Sequence, residues 1–188
     1  SSAASDVYKR QYIMFKKVIL TLVLGAASLM GASAQKAEIT ASYGAYTQMD
    51  ATDMKDGWKH VNTAWGALNV GLNFRVTPKI WIGPSYTFSS STTKGGPEHS
   101  NVAYHAVMLN GRYHYYRNSI VSLYAKVGLG VEFSYMQPRH DDSYTKSYCA
   151  FQIVPVGAQV DLSRDWAMFA EAGFGAQGLF QFGFKYKF

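Results

Sequence analysis

The sequence predicts an all-β fold, an eight-stranded antiparallel up-and-down transmembrane β-barrel. Three observations carry that expectation. From Lys36 onward apolar residues recur with period two, the spacing that sends successive side chains to opposite faces of a strand. The links between these alternating stretches are short and long by turns, as in a meander of hairpins. No apolar run reaches the roughly 18 residues that a spanning helix requires, and mean hydropathy is −0.11. A single cysteine, Cys149, excludes an intrachain disulfide framework.

The eight segments follow in order. The first, 38–46, places Glu38 and Gly44 on its polar face. The second, 63–76, is the plainest: Ala64, Gly66, Leu68, Val70, Leu72, Phe74 and Val76 alternate with Trp65, Asn69, Asn73 and Arg75. The third, 80–89, carries Gly83 on the polar parity, and the fourth, 102–116, carries Arg112 there with His105 on the apolar parity. In the fifth, 120–135, Val121, Leu123, Ala125, Val127, Leu129, Val131 and Phe133 oppose Ser122, Lys126 and Glu132. The sixth, 148–162, holds Gly157 and Asp161 on the polar face, and the seventh, 167–175, holds Glu171 and Gly173. The eighth, 179–188, sets Gly183 and Lys185 against five aromatic residues. A closed wall has no free edge to tolerate a missing N–H, so bulges are expected at Pro84 and Pro155.

Polar turns near Thr77, Asn118 and Arg164 join segments two to three, four to five and six to seven. The links 47–62, 90–101 and 136–147 are longer, whereas 176–178 is trimmed. Both termini then lie on the short-turn side. Alternation alone does not say which face points inward, because a soluble lipocalin-like barrel would show the same pattern. Glycine argues between them: of eleven within the segments, nine fall on the polar face, namely Gly44, Gly71, Gly83, Gly128, Gly130, Gly157, Gly173, Gly175 and Gly183. Glycine weakens a strand, but it makes room inside a narrow, strongly curved wall. The polar face is therefore assigned to the lumen and the apolar face to lipid. Glu38, Arg75, Arg112, Lys126, Glu132, Asp161, Glu171 and Lys185 then point inward, four acids and four bases that form a candidate ion-pair network. Trp65, Trp81, Tyr116, Trp166 and Phe188, near strand ends, suit interfacial girdles.

The N-terminus has another character. Met14, Phe15, Lys16 and Lys17 form a short basic region ahead of an apolar stretch, closed by Ala32, Ser33 and Ala34. That order describes a signal peptide, 14–34, cleaved before Gln35. The string 1–11 resembles the in-frame translation of a sequencing adapter, so 1–13 is read as a non-native extension and 35–188 as the barrel domain. The formal charge of +6 then falls to +3, from fourteen bases and eleven acids, which weakens any case for a nucleic-acid partner.

The final residues, Leu179-Phe180-Gln181-Phe182-Gly183-Phe184-Lys185-Tyr186-Lys187-Phe188, resemble the closing strand of Gram-negative outer-membrane barrels, which alternates aromatic with polar residues and ends in Phe. The barrel domain as a whole resembles the small eight-stranded barrels of the OmpA, OmpX and OmpW kind. The resemblance implies residence in the bacterial outer membrane with periplasmic termini, contact with outer-membrane lipid and lipopolysaccharide, and recognition of Phe180, Phe182, Phe184, Tyr186 and Phe188 by the barrel assembly machinery.

Signals for chemistry are sparse. His99-Ser100, His105 and His114 form no compact nucleophile and base arrangement. The loop carboxylates Asp50, Asp53, Asp56, Asp141 and Asp142, with His140, show no ligand repeat of a metal loop. Gly128-x-Gly130 lies within a strand with no helix following, unlike a phosphate loop, and no motif calls for a cofactor. The expectation is a non-enzymatic barrel with a largely filled lumen that presents surface loops. The alternative is a narrow pore or lateral channel for ions or small or apolar solutes.

Overall fold

The computed structural model describes residues 37–48, 65–92, 101–137 and 144–188. They form a closed barrel of eight antiparallel strands, each paired with its neighbours in sequence and the first with the last. The strands are β1 (Ala37–Ala45), β2 (Ala67–Arg75), β3 (Ile80–Thr92), β4 (Asn101–Arg117), β5 (Val121–Gln137), β6 (Tyr144–Asp161), β7 (Trp166–Gly175) and β8 (Phe180–Lys187). Closure pairs the first strand with the last and so removes the free edges of the sheet, the condition for a β structure to cross a bilayer.

Local chemistry fixes the three tight turns. In the β2–β3 turn the Thr77 Oγ1 accepts the Ile80 N–H at 3.0 Å, and in the β4–β5 turn Asn118 Oδ1 accepts the Ser119 N–H at 2.7 Å. In the β6–β7 turn Ser163 Oγ accepts the Trp166 N–H at 3.1 Å. Short polar side chains that satisfy nearby backbone donors favour such turns.

The wall is uneven in height. β4, β5 and β6 run for 17, 17 and 18 residues, against 9, 9, 10 and 8 for β1, β2, β7 and β8. Above the end of β7 the side chain of Gln48 takes over from a neighbouring strand: its Nε2 donates to the Cys149 carbonyl at 2.9 Å and its Oε1 accepts the Phe151 N–H at 3.3 Å.

Pro155 sits in a bulge, where the pairing of β6 shifts register against both β5 and β7. Pro84 does not produce one. The β2–β3 ladder skips the pairs around Leu72 and Asn73 yet resumes in the same register, and Pro84 still faces Leu109 across β4. The missing N–H is absorbed as a local gap in pairing. A further register shift falls between His114 and Tyr116 at the lower end of β4.

The exterior is apolar. Leu68, Val70, Leu109, Val127, Leu129, Phe174, Phe182 and Phe184 are exposed large hydrophobic residues on the outward parity, as a wall in lipid requires. Aromatic pairs mark both margins. Trp166, Tyr186 and Phe188 pack edge to face with centroids 5.1 and 5.0 Å apart at the short-turn side. Tyr43 stacks on Trp65 at the opposite side and donates its hydroxyl to the Trp65 carbonyl.

Candidate functional site: the filled lumen

Inward parity brings charged residues from five strands into the lower lumen, the part nearest the short turns. Glu38 of β1 meets Arg112 of β4, with Nη2 and Oε1 2.6 Å apart and the side chains 1% and 6% exposed. Asn73 Nδ2 donates to the same carboxylate oxygen at 3.3 Å. The Arg112 guanidinium lies between two rings, 5.3 Å from the Trp81 centroid and 5.1 Å from that of Tyr124. Trp81 is thus a lumen residue, 5% exposed, and not part of an interfacial girdle. Its odd number puts it on the parity of Gly83 and Ser85, and a flat cation needs an aromatic face more than the rim needs another anchor.

A second group lies beside the first. Lys126 of β5 pairs with Glu171 of β7, whose other oxygen accepts the Tyr124 hydroxyl at 2.7 Å. Lys185 of β8 donates to Gln159 Oε1 at 3.0 Å and lies 3.3 Å from the Tyr124 hydroxyl, over the rings of Tyr124 and Phe169. Gln159 in turn donates to Asp161 at 2.7 Å, and Asp161 pairs with Lys187 at 2.7 Å at the mouth of the barrel.

Of the eight inward charges named from sequence, the structure therefore brings Glu38, Arg112, Lys126, Glu171 and Lys185 together and places Asp161 at the rim beside them. Arg75 is half-buried at the lower end of β2, with no ion pair among the described residues. Glu132 is fully buried in the upper half, opposite Ala106 and Tyr148 in the β5 ladders. The upper half holds an apolar cluster of Val102, Tyr104, Ala106, Met108, Ala150 and Ala176.

Sequence reasoning missed Gln177. The β7–β8 turn does not extend into solvent but folds into the lumen, so that Ala176, Gln177 and Gly178 are all buried. Gln177 Oε1 accepts from Lys126 Nζ at 2.8 Å, and its Nε2 donates to Ser85 Oγ at 2.8 Å. Its backbone N–H donates to Gln152 Oε1 at 2.9 Å, while its carbonyl accepts from Asn69 Nδ2 at 3.2 Å. One residue thus ties together β2, β3, β5 and β6. Gly175 and Gly178 flank it with φ of 136° and 110°, a region that glycine adopts without steric cost. Gly44 makes the space: a Cβ there would stand 1.8 Å from the Gln177 carbonyl oxygen.

The histidines are separated. His105 lies on the outer wall, with Nδ1 2.6 Å from the Tyr86 hydroxyl. His114 is buried in the lower lumen against the Tyr124 ring, with no hydrogen-bond partner for either ring nitrogen among the described residues. His99, Ser100, His140 and the carboxylates Asp50, Asp53, Asp56, Asp141 and Asp142 lie outside the described residues.

A closed wall, apolar outside and charge-lined within, defines a transmembrane β-barrel. Residues 19–188 match the family model of the outer membrane protein β-barrel domain, and the chain belongs to that family. It is an integral protein of the bacterial outer membrane. Among solved structures it is similar in fold to Ail, the attachment invasion locus protein of Yersinia pestis, in complex with the heparin analogue sucrose octasulfate. That match has 14% identity and a TM-score of 0.49, covering 82% of this chain and 99% of that one. It is similar also to the N-terminal β-barrel domain of Pseudomonas aeruginosa OprF, with 12% identity, a TM-score of 0.46, and 81% and 97% of the two chains covered. No curated protein matches the sequence.

Proposed function

We propose that this outer-membrane barrel is non-enzymatic: a rigid, filled wall that holds surface loops for contact with lipopolysaccharide, other envelope proteins or surfaces. The observation that carries the reading is the inward β7–β8 turn, whose Gln177 crosses the lumen directly above the Lys126–Glu171 pair. An eight-strand circumference leaves an interior just wide enough for side chains. Here ion pairs, the rings of Trp81, Tyr124 and Phe169, and this turn occupy it. In this reading the three long links named from sequence carry the presented surface, and the short turns and termini are periplasmic. Residues 14–34 are the cleaved export signal, 1–13 lie outside the native protein and 35–188 are the mature barrel. Phe180, Phe182, Phe184, Tyr186 and Phe188, on the outward face of β8, are the signature read by the barrel assembly machinery. Glu38, Arg112, Lys126, Glu171 and Lys185, with Asp161 at the rim, serve as a structural network.

Single-channel recording in planar bilayers tests the filled lumen. The native protein is expected to give no reproducible open steps, whereas Gln177→Gly should give brief ones. Native steps whose size changes with Arg112→Ala or Glu132→Gln would support the second reading, a narrow conduit. That reading draws on the hydrogen-bonded file running from Lys187 through Asp161, Gln159, Lys185, Tyr124, Glu171 and Lys126 to Gln177. Loss of lipid A acyl chains on incubating purified protein with lipopolysaccharide would refute the non-enzymatic role.

A further inference from the structure

The lower lumen keeps a small cavity of ≈ 30 Å³, lined in part by Arg112, Lys126, Lys185, Gln181, Asn110 and Glu171. A site of roughly 10–15 Å³ suffices for one water-sized particle, so this one has room for a monatomic ion with a water, and a tetrahedral oxyanion needs more space.

Charge and hydrogen bonding both say what would suit it. Two buried cations, Arg112 and Lys185, and the half-buried Lys126 share the lower lumen with two buried carboxylates, Glu38 and Glu171, and each carboxylate is already paired. Arg112 faces Glu38 and Lys126 faces Glu171. Lys185 is left with the neutral acceptors Gln159 and Tyr124 and the faces of two rings. A buried charge without a counter-charge is costly. Donors are left over as well. Gln181 Nε2 and Arg112 Nε have no hydrogen-bond partner among the described residues, and their side chains are 3% and 6% exposed. The neighbouring amides each already donate once: Asn69 to the Gln177 carbonyl, Asn73 to Glu38 and Asn110 to Ser85.

We propose that this cavity binds one small monovalent anion, chloride under ordinary conditions, held by Gln181 Nε2, Arg112 Nε and the Lys185 ammonium. Asn110 Oδ1, a buried acceptor also without a partner, takes a hydrogen bond from a water beside the ion. The anion gives Lys185 a counter-charge and completes the donors in one step. The site is independent of whatever the loops bind.

Bromide is the probe. Crystals of the refolded barrel soaked in sodium bromide should show one anomalous peak in the lumen, within contact of Gln181 and Arg112. Gln181→Leu removes a donor without touching either ion pair and should lower bromide occupancy at least about tenfold, because a buried donor is replaced by an apolar group; Lys185→Met should do the same. In a parallel measurement, exchanging gluconate for chloride at fixed ionic strength should raise the thermal midpoint of the native protein and leave that of Gln181→Leu unmoved, as expected for a ligand that binds only the folded state. A cavity holding water alone, with no bromine peak, overturns the proposal. So does a peak and chloride dependence that persist unchanged in Gln181→Leu.

Discussion

In the lower lumen Glu38, Arg112, Lys126, Glu171 and Lys185 lie side by side, whereas higher along β4 the inward positions are Met108, Ala106, Tyr104 and Val102. Ion pairs dominate the lower half, whereas the upper half is mainly apolar and uncharged side chains around the Glu132 carboxylate, and the wall explains why. In the lower half all eight strands are present, so a carboxylate on β1 and a guanidinium on β4 reach each other across a closed ring of fixed width. In the upper half the long strands β3 to β6 continue while β7, β8, β1 and β2 have ended. A buried ion pair contributes only where its geometry is held well enough to offset desolvation. The closed ring supplies that constraint, and above it non-directional apolar packing is the more tolerant filling.

The largest expected effect breaks the lower half. Arg112→Ala leaves the Glu38 carboxylate buried opposite an empty site and should cost about 3–5 kcal/mol, measured as the shift in urea unfolding of the barrel in lipid vesicles. Glu38→Leu combined with Arg112→Met removes both charges and should restore most of that loss. A single variant within about 1 kcal/mol of the native protein would mean that the ring does not depend on this pair.

Met108→Ala is the matching change in the upper half. Truncating a buried Met costs about 2–5 kcal/mol, the lower end where neighbouring side chains relax into the space. The same unfolding assay checks it, and a loss equal to that of Arg112→Ala would remove the contrast between the halves.

Gly157→Ala probes how tightly the lower half is fitted. Gly157 faces Tyr124 across the β5–β6 ladder, and an added Cβ would lie 2.4 Å from the ring. The ring would have to move away from Arg112 and Glu171, at an expected cost of about 1–3 kcal/mol for overpacking. Gly111→Ala is the control: its added Cβ would meet only Val127, at 4.0 Å, on the lipid-facing side. Equal losses in both variants would point to glycine's backbone rather than to lumen packing.

Much of this was legible in the sequence because the side-chain period of a strand is two. Once glycine had assigned one parity to the lumen, the inward direction of Glu38, Arg112, Lys126, Glu171 and Lys185 followed. Pairing did not follow, since it depends on register and on the stagger of strands around the ring. That is why Glu132, on the same parity and strand as Lys126, lies in the other half of the lumen. Parity also ends where a strand ends, so nothing in the alternation marked Gln177. The usable hint was the trimmed link at 176–178 with Gly175 and Gly178 about the glutamine. Trp81 was misplaced for a different reason, because the habit of aromatic residues at strand ends outweighed its own inward parity.

The smallest expected effect comes from the mouth of the barrel and isolates what burial adds. Lys187 and Asp161 lie 2.7 Å apart, nearly the separation of Arg112 and Glu38, yet their side chains are 19% and 24% exposed. Water has access to both members, so the attraction is screened and neither is stranded when the other is removed. Lys187→Met should therefore cost about 0.2–1 kcal/mol in the unfolding assay. Because the screening length falls to about 3 Å at 1 M salt, even that loss should fade there, while the loss in Arg112→Ala should persist. If both variants respond to salt alike, water reaches the Glu38–Arg112 pair as freely as it reaches the rim, and the energetic division between the ring and its mouth disappears.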